Sequence, residues 1–204
     1  MKLSGQPTSH AARKFALWSV GVLALLVLFI WAIPKGADIN AAVPGTRPDQ
    51  AAFESERAVF AKRYRDADTE MRKSAVFSEA AERAVAIFKP TQGTLSSWRG
   101  TLKEVTTDEG GARAFVVIES ELSGLTVGYR TWNNALSDIS DKTAIAKGSA
   151  VYKQLIDLKP GAAVIFSGRV IGDRIRGIKE VSLTESGAMR APEFLLRFSS
   201  ITKG

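Results

Sequence analysis

The chain contains no cysteine, and its only histidine is His10, close to the N-terminus. Without cysteine there are no disulfides, no thiolate nucleophile and no thiolate metal site. With its one histidine on the far side of a long apolar run, the remainder has no Ser-His or Cys-His pair of the kind that activates a nucleophile. There is no GxxxxGK[ST] loop and no GxGxxG pattern, which removes the two commonest glycine-rich phosphate cradles. No internal repeat is visible. Acidic charge is in the minority: 28 Lys and Arg face 21 Asp and Glu, for a net charge of +7. Lys2, Arg13 and Lys14 contribute three of those charges with no acid among the first 34 residues, so the remaining 170 residues carry only +4. That spread describes a mildly cationic soluble surface rather than a polyanion-binding one.

One long run does stand out. Phe15 to Ile33 (FALWSVGVLALLVLFIWAI) holds 19 residues without a charge. As a helix it would span roughly 28 Å, close to the hydrocarbon thickness of a bilayer. Trp18 and Trp31 sit near its ends, where indoles favour the headgroup level. The run exceeds the apolar core of a cleaved signal, and no small-x-small site follows it closely, so the expectation is an uncleaved transmembrane helix at 15–33. The basic residues at 1–14 place that tail in the cytoplasm and the rest outside, as a single-pass protein of a bacterial inner membrane with a periplasmic domain. Residues 34–49, rich in Pro, Gly and Ala, read as a linker.

From residue 50 to 89 the pattern is helical. Phe53, Phe60, Tyr64 and Met71 fall on one narrow stripe, surrounded by charges of both signs. The reading is a helical stalk, with a break plausible near Lys73–Ser78, whose stripe packs either on the domain that follows or on a second copy. The cluster Lys62–Arg65 reads as a solvated helix face.

Beyond Thr94 the texture changes to short β-type runs: 94–106, 112–120, 125–132, 163–171 and 174–183, with 194–201 as a last strand or edge addition. A short helix at 149–158, capped by Ser149, falls between the third and fourth. Strand-strand-strand-helix-strand-strand is the order of the OB-fold, a small Greek-key barrel. The fold class expected is therefore α+β: a transmembrane helix, a long amphipathic helix, and an OB-like five-stranded antiparallel barrel over 94–201 with one short helix. Gly100, Gly128 and Gly168 fall inside strands, where bends or bulges are needed. In the fourth strand Val164, Phe166, Gly168 and Val170 share one face.

Two runs in this region are distinctive: Thr131-Trp132-Asn133-Asn134-Ala135-Leu136-Ser137-Asp138 and Pro192-Glu193-Phe194-Leu195-Leu196-Arg197-Phe198-Ser199. With Trp98–Thr101, Phe166–Gly168 and Ser182–Met189 they resemble a family of uncharacterised bacterial proteins, many with an N-terminal membrane segment. The resemblance covers about half of the chain. It implies that the region is one unit and brings no activity, cofactor or ligand with it.

For function, the candidate contact residues are Arg130, Trp132, Asn133 and Asn134, a polar-aromatic stretch leading into a loop. Asp138 and Asp141 read as loop caps rather than a carboxylate pair. No catalytic, cofactor or metal residue is assigned, and the chain is read as a binding or scaffolding module rather than an enzyme. Its expected partners are the bilayer through 15–33 and an envelope protein, or a second copy through the 53–88 helix. Two alternatives stay open. A cytoplasm-facing OB-fold would bind single-stranded nucleic acid by stacking on Phe115, Tyr129 and Trp132 beside Arg113 and Arg130. An envelope hydrolase is the third class.

The anchor has a direct test. After carbonate washing the full-length protein is expected in the membrane pellet with its N-terminus intact. A soluble form beginning near Val43 would mean a cleaved signal instead.

Overall fold

Why the helical region folds as it does follows from one interruption. The computed structural model describes residues 45–204 apart from Ser123, Ile175 and Arg176. The tail at 1–14, the expected span at 15–33 with Trp18 and Trp31, and residues 34–44 of the linker lie outside the described residues. Among the described residues no helix is long and apolar enough to cross a membrane. The stretch expected as one stalk over 50–89 is two helices, α1 (Pro48–Asp66) and α2 (Glu70–Phe88). The break falls at Ala67–Thr69, before the expected place. Thr69 is extended and its hydroxyl accepts from the backbone N–H of Arg72, a capping interaction that starts a fresh helix. Ser78, within the stretch where the break was expected, bonds back to the carbonyl of Ser74 inside α2.

The two helices fold back as an antiparallel hairpin. Arg63 grips Glu79 with two bonds of 3.0 and 2.6 Å, Arg83 donates to Glu56 at 2.7 Å, and Arg57 donates to the carbonyl of Ala80 at 2.7 Å. The expected stripe therefore divides. Phe53 and Phe60 are buried within this chain, Tyr64 is half-buried, and Met71 is 85% exposed. Phe53 and Phe60 are covered within this chain while Met71 is exposed, so the four residues do not form one continuous seam.

The β region comprises β1 (Thr94–Thr107), β2 (Arg113–Leu122), β3 (Leu125–Arg130), β4 (Ile145–Ala146), β5 (Ala163–Val170), β6 (Gly172–Asp173), β7 (Gly177–Ile178) and β8 (Glu193–Lys203). Helix α3 (Ala150–Leu155) precedes β5, and α4 (Glu185–Arg190) precedes β8. Strand β1 pairs with β2 and with β5, β5 with β8, β8 with β3, and β3 with β2, so the pairing returns to where it started. All of these are antiparallel except β3–β8, which is parallel. The class is α+β, with a mostly antiparallel sheet and few helices.

Two expectations need correction here. The stretch 174–183 is not the fifth long strand: it supplies β7, a two-residue partner of β6, and then a bridge at Glu180 to Phe194. Its place belongs to β8, the run treated as a possible edge addition, which lies between β5 and β3. The apolar run Phe194-Leu195-Leu196 is buried there, as a central strand requires. Helix α4 is the other departure. Thr184 caps it by accepting from the N–H of Gly187, a poor helix former that obscures this helix in the sequence.

Other local expectations hold in part, with β3 ending at Arg130 rather than at 132 and α3 at Leu155 rather than at 158. Ser149 caps α3, accepting from Tyr152 N–H. In β5, Val164, Phe166, Gly168 and Val170 are buried while Ile165 and Ser167 are half-buried. Gly100 and Gly168 lie at close strand approaches: a Cβ would meet Ile118 at 2.6 Å and the carbonyl of Arg197 at 2.6 Å, respectively. The second coincides with a register shift between Ser167 and Gly168.

The core is built around aromatic rings. Trp98 packs edge-on to Tyr129 at 5.5 Å, Tyr129 lies 5.2 Å from Phe166, and Phe53 reaches in from α1 to within 4.9 Å of Phe88, 5.8 Å of Trp98 and 5.2 Å of Phe194. Beside Phe53, the side chain of Gln50 brackets the backbone of Arg99, donating to its carbonyl at 2.7 Å and accepting from its N–H at 2.8 Å. One turn on, the buried carboxylate of Glu54 accepts from Gln50, Tyr129 and Ser120 at 2.8–2.9 Å. Burial pushes this carboxyl above its usual range, against the lowering effect of those three donors.

Urea unfolding of residues 42–204, which form a compact unit, checks the hairpin. Phe53→Ala is expected to cost about 3–5 kcal/mol, as for a buried phenylalanine. Met71→Ala should stay within about 0.5 kcal/mol, as for an exposed site. Equal costs at the two positions would restore the continuous stripe.

Candidate functional site

The long connection from β3 to α3 crosses residues 131–149, and polar side chains hold it. Thr131 is buried; its hydroxyl accepts from Val116 N–H at 3.0 Å and donates to the carbonyl of Trp132 at 2.8 Å. The N–H of Trp132 donates to the Thr143 hydroxyl, which donates in turn to Asp138. Asp138 also accepts from the N–H groups of Thr143 and Ala144. This is the capping role expected of it.

Asp141 is the second fastener. Its Oδ2 accepts from the Trp132 indole N–H and from Lys179 Nζ, both at 2.7 Å, and its carbonyl accepts from Arg197 Nε at 2.7 Å. Lys179 also lies 5.7 Å from the Trp132 ring centroid. Burial alone would raise the Asp141 carboxyl, but the bonds from Lys179 and Trp132 and the charges of Lys179 and Arg197 outweigh it and hold it below the usual carboxylate range.

The four expected contact residues do not share one environment. Trp132 is half-buried and tied to Asp141. Arg130 is half-buried and donates to Glu193 at 2.6 Å. Asn133 and Asn134 are exposed, and Asn134 accepts from the N–H of Ser137 to shape the turn. Beside them stand two residues that the sequence pattern did not single out: Leu136 is 80% and Ile139 67% exposed. Their helical neighbours are missing because the loop turns too tightly for an amphipathic pattern, so only the unpaired apolar letters in a polar run could have marked them. Ile139, with Arg113 and Lys142, borders a depression of about 310 Å³. Phe115 and Tyr129, weighed as stacking rings, are both buried.

A second feature lies between the helical hairpin and the C-terminal segment. Phe77, Ala80 and Ala84 of α2, Met189 of α4 and Phe194 of β8 surround a cavity of about 40 Å³, into which Arg57 faces from α1. Only 7% of Arg57 is exposed. Burial pushes its guanidinium down to about 10, opposed by Glu56, with Arg83 adding to the fall. Its charge is therefore retained at neutral pH.

The chain stands apart in comparison. No family model, curated protein or solved structure matches it. Among the described residues no group of three or more His, Cys, Asp or Glu side chains is placed to hold a metal ion.

The depressed Asp141 carboxyl gives a pH signature. A group whose folded pKa is lowered stabilises the fold above its unfolded value and loses that contribution as pH falls. Asp141→Asn is expected to cost about 1–3 kcal/mol at neutral pH, with the gap to the parent protein closing below about pH 4. Urea midpoints measured across that range check it; a gap that does not change with pH would refute the assignment.

Proposed function

We propose that this chain is a single-pass inner-membrane protein that presents an OB-like barrel outside the cytoplasm as a binding or scaffolding module, without catalytic activity of its own. The barrel reading is supported by the five-strand circuit β1-β2-β3-β8-β5, with α3 inserted between β3 and β5. A five-stranded Greek-key barrel is the architecture of the OB-fold, and the parallel β3–β8 pairing completes the circuit here. The membrane reading is supported by the uncharged run at 15–33 and the basic residues before it.

The observation that carries the binding reading is the loop at 131–149. Its base is immobilised by Asp138, Asp141 and Thr143, all buried, while its tip holds Asn133, Asn134, Leu136 and Ile139 in water. Two large apolar side chains held exposed on a fastened loop serve recognition better than folding. Arg130 and Trp132 support that loop from behind, and Arg113 and Lys142 add positive charge at its edge. The partner is accordingly an envelope protein offering an apolar contact rimmed by acids.

Two measurements test the reading. A phosphatase reporter fused after Gly204 is expected to be active, and a cytoplasm-restricted fluorescent reporter dark; the reverse pair would place the domain in the cytoplasm. With a photo-crosslinking residue at Leu136, irradiated cells should yield one discrete adduct that is absent when the residue is placed at Met71. Identical adduct patterns at both positions would remove the loop as a recognition surface.

A further inference from the structure

The Arg57 cavity has a property that the fold does not require. A guanidinium offers five N–H donors in a planar fork. Here Nη2 donates to the carbonyl of Ala80, while the buried Nε has no partner. Among the described residues no carboxylate forms an ion pair with Arg57, whereas its neighbours Arg63 and Arg83 are each paired across the hairpin. Phe53 and Phe60 lie 5.5 and 5.3 Å from the Arg57 guanidinium carbon and offer it only ring faces. Glu56, the adjacent acid that opposes the fall in the Arg57 pKa, gives one oxygen to Arg83 and keeps the other buried without a partner, so the Arg57 Nε donor stays unsatisfied. A buried donor left unmade is costly unless something supplies the missing bond.

The space beside it limits what that can be. About 40 Å³ admits a group of few atoms, and the walls are apolar apart from Arg57 and Glu180. Glu180 is engaged by its own chain, accepting from Ser182 N–H and O–H and from Glu193 N–H. A planar carboxylate fits so small a space, and the planar fork beside it, better than a tetrahedral phosphate. The cavity also has a way out. Phe77 and Ala81 line both it and a wide groove between α2 and the β6–β7 ribbon, where Val85 is 40% exposed and Gly177 approaches it closely.

We propose that the Arg57 cavity and this groove form a binding site for a monocarboxylate on an unbranched apolar chain. The carboxylate would sit against the guanidinium, as fork and carboxylate geometry match. The chain would pass Phe77 and Ala81 and lie along Val85. The three alanines Ala80, Ala81 and Ala84 on one side of α2 leave the room that larger residues would fill. This site shares no residue with the 131–149 loop and does not depend on the reading given to that loop.

Octanoate is the probe, titrated into the full chain in lipid nanodiscs with empty nanodiscs subtracted. Saturable binding is expected, with 1-octanol weaker by about tenfold or more for want of the charge. Arg57→Met, which keeps length and removes the fork, should lose octanoate by a similar factor while the helical circular dichroism is unchanged. Ala81→Phe, which blocks the passage and leaves the charge in place, should lose it as well. Should Arg57→Met fail to fold, Ala81→Phe decides. No saturable octanoate binding, equal binding in a folded Arg57→Met or in Ala81→Phe, or tighter binding of octyl phosphate than of octanoate would each overturn the proposal.

Discussion

A single buried carboxylate fixes the relation between the helices and the sheet. Glu54 is fully buried, carries no salt bridge among the described residues, and is satisfied by three neutral donors from three parts of the chain: Gln50 on its own helix, Ser120 on β2 and Tyr129 on β3. Such a network tolerates one arrangement, since a shift of one helical turn would strand a charge in an apolar core. With α1 pinned, Phe53 must enter among Trp98, Phe88 and Phe194. The hairpin partner α2 then has to lie where Arg57 and Arg63 can reach it and where its own Arg83 can reach Glu56. Burial raises the Glu54 carboxyl, so its share of stability is greatest below the ordinary carboxylate value and declines as pH rises through the shifted one. Asp141, held below the usual range by Lys179 and Trp132, acts in the opposite direction.

Much of the sheet was legible in the sequence because alternation and capping are local signals. The faces of β5 and the Ser149 cap needed only a few neighbouring residues. What escaped was whatever depended on partners far along the chain. The hairpin break at Ala67–Thr69 lies within a continuous helical pattern, and it is the sheet under Phe53 that rewards folding back. The central place of β8 is invisible locally, because a run such as Phe194-Leu195-Leu196 suits any buried strand. At the loop, the sequence directed attention to Trp132, since aromatic residues mark contacts; its indole is engaged by Asp141, and the exposed apolar residues are Leu136 and Ile139. Arg57 gives no signal among thirteen other charges on the same helices, because only packing reveals which of them is buried with an unsatisfied donor.

The segment Ile178–Glu180 separates the two surfaces considered above. Its side chains alternate: Lys179 reaches Asp141 beneath the loop, while Ile178 and Glu180 border the Arg57 cavity. Three backbone bonds hold it between the chain before β6 and the start of β8, from Lys179 to Ile171, from Leu195 to Lys179 and from Val181 to Glu193. A short extended segment that contributes to both places holds its two faces in fixed register.

The position of β8 also sets the order in which the molecule can be completed. Strands β1 to β5 can pair with neighbours as they emerge, but β5 and β3 are joined only through residues 193–203. Until those residues leave the ribosome or a translocation channel, Phe166 and Tyr129 have no wall on that side, and the apolar interior stays open to water. Contacts of such sequence separation form late and slowly. Until then the nascent chain is a half-closed sheet with exposed edges, a state in which strands are prone to pair with the wrong neighbour.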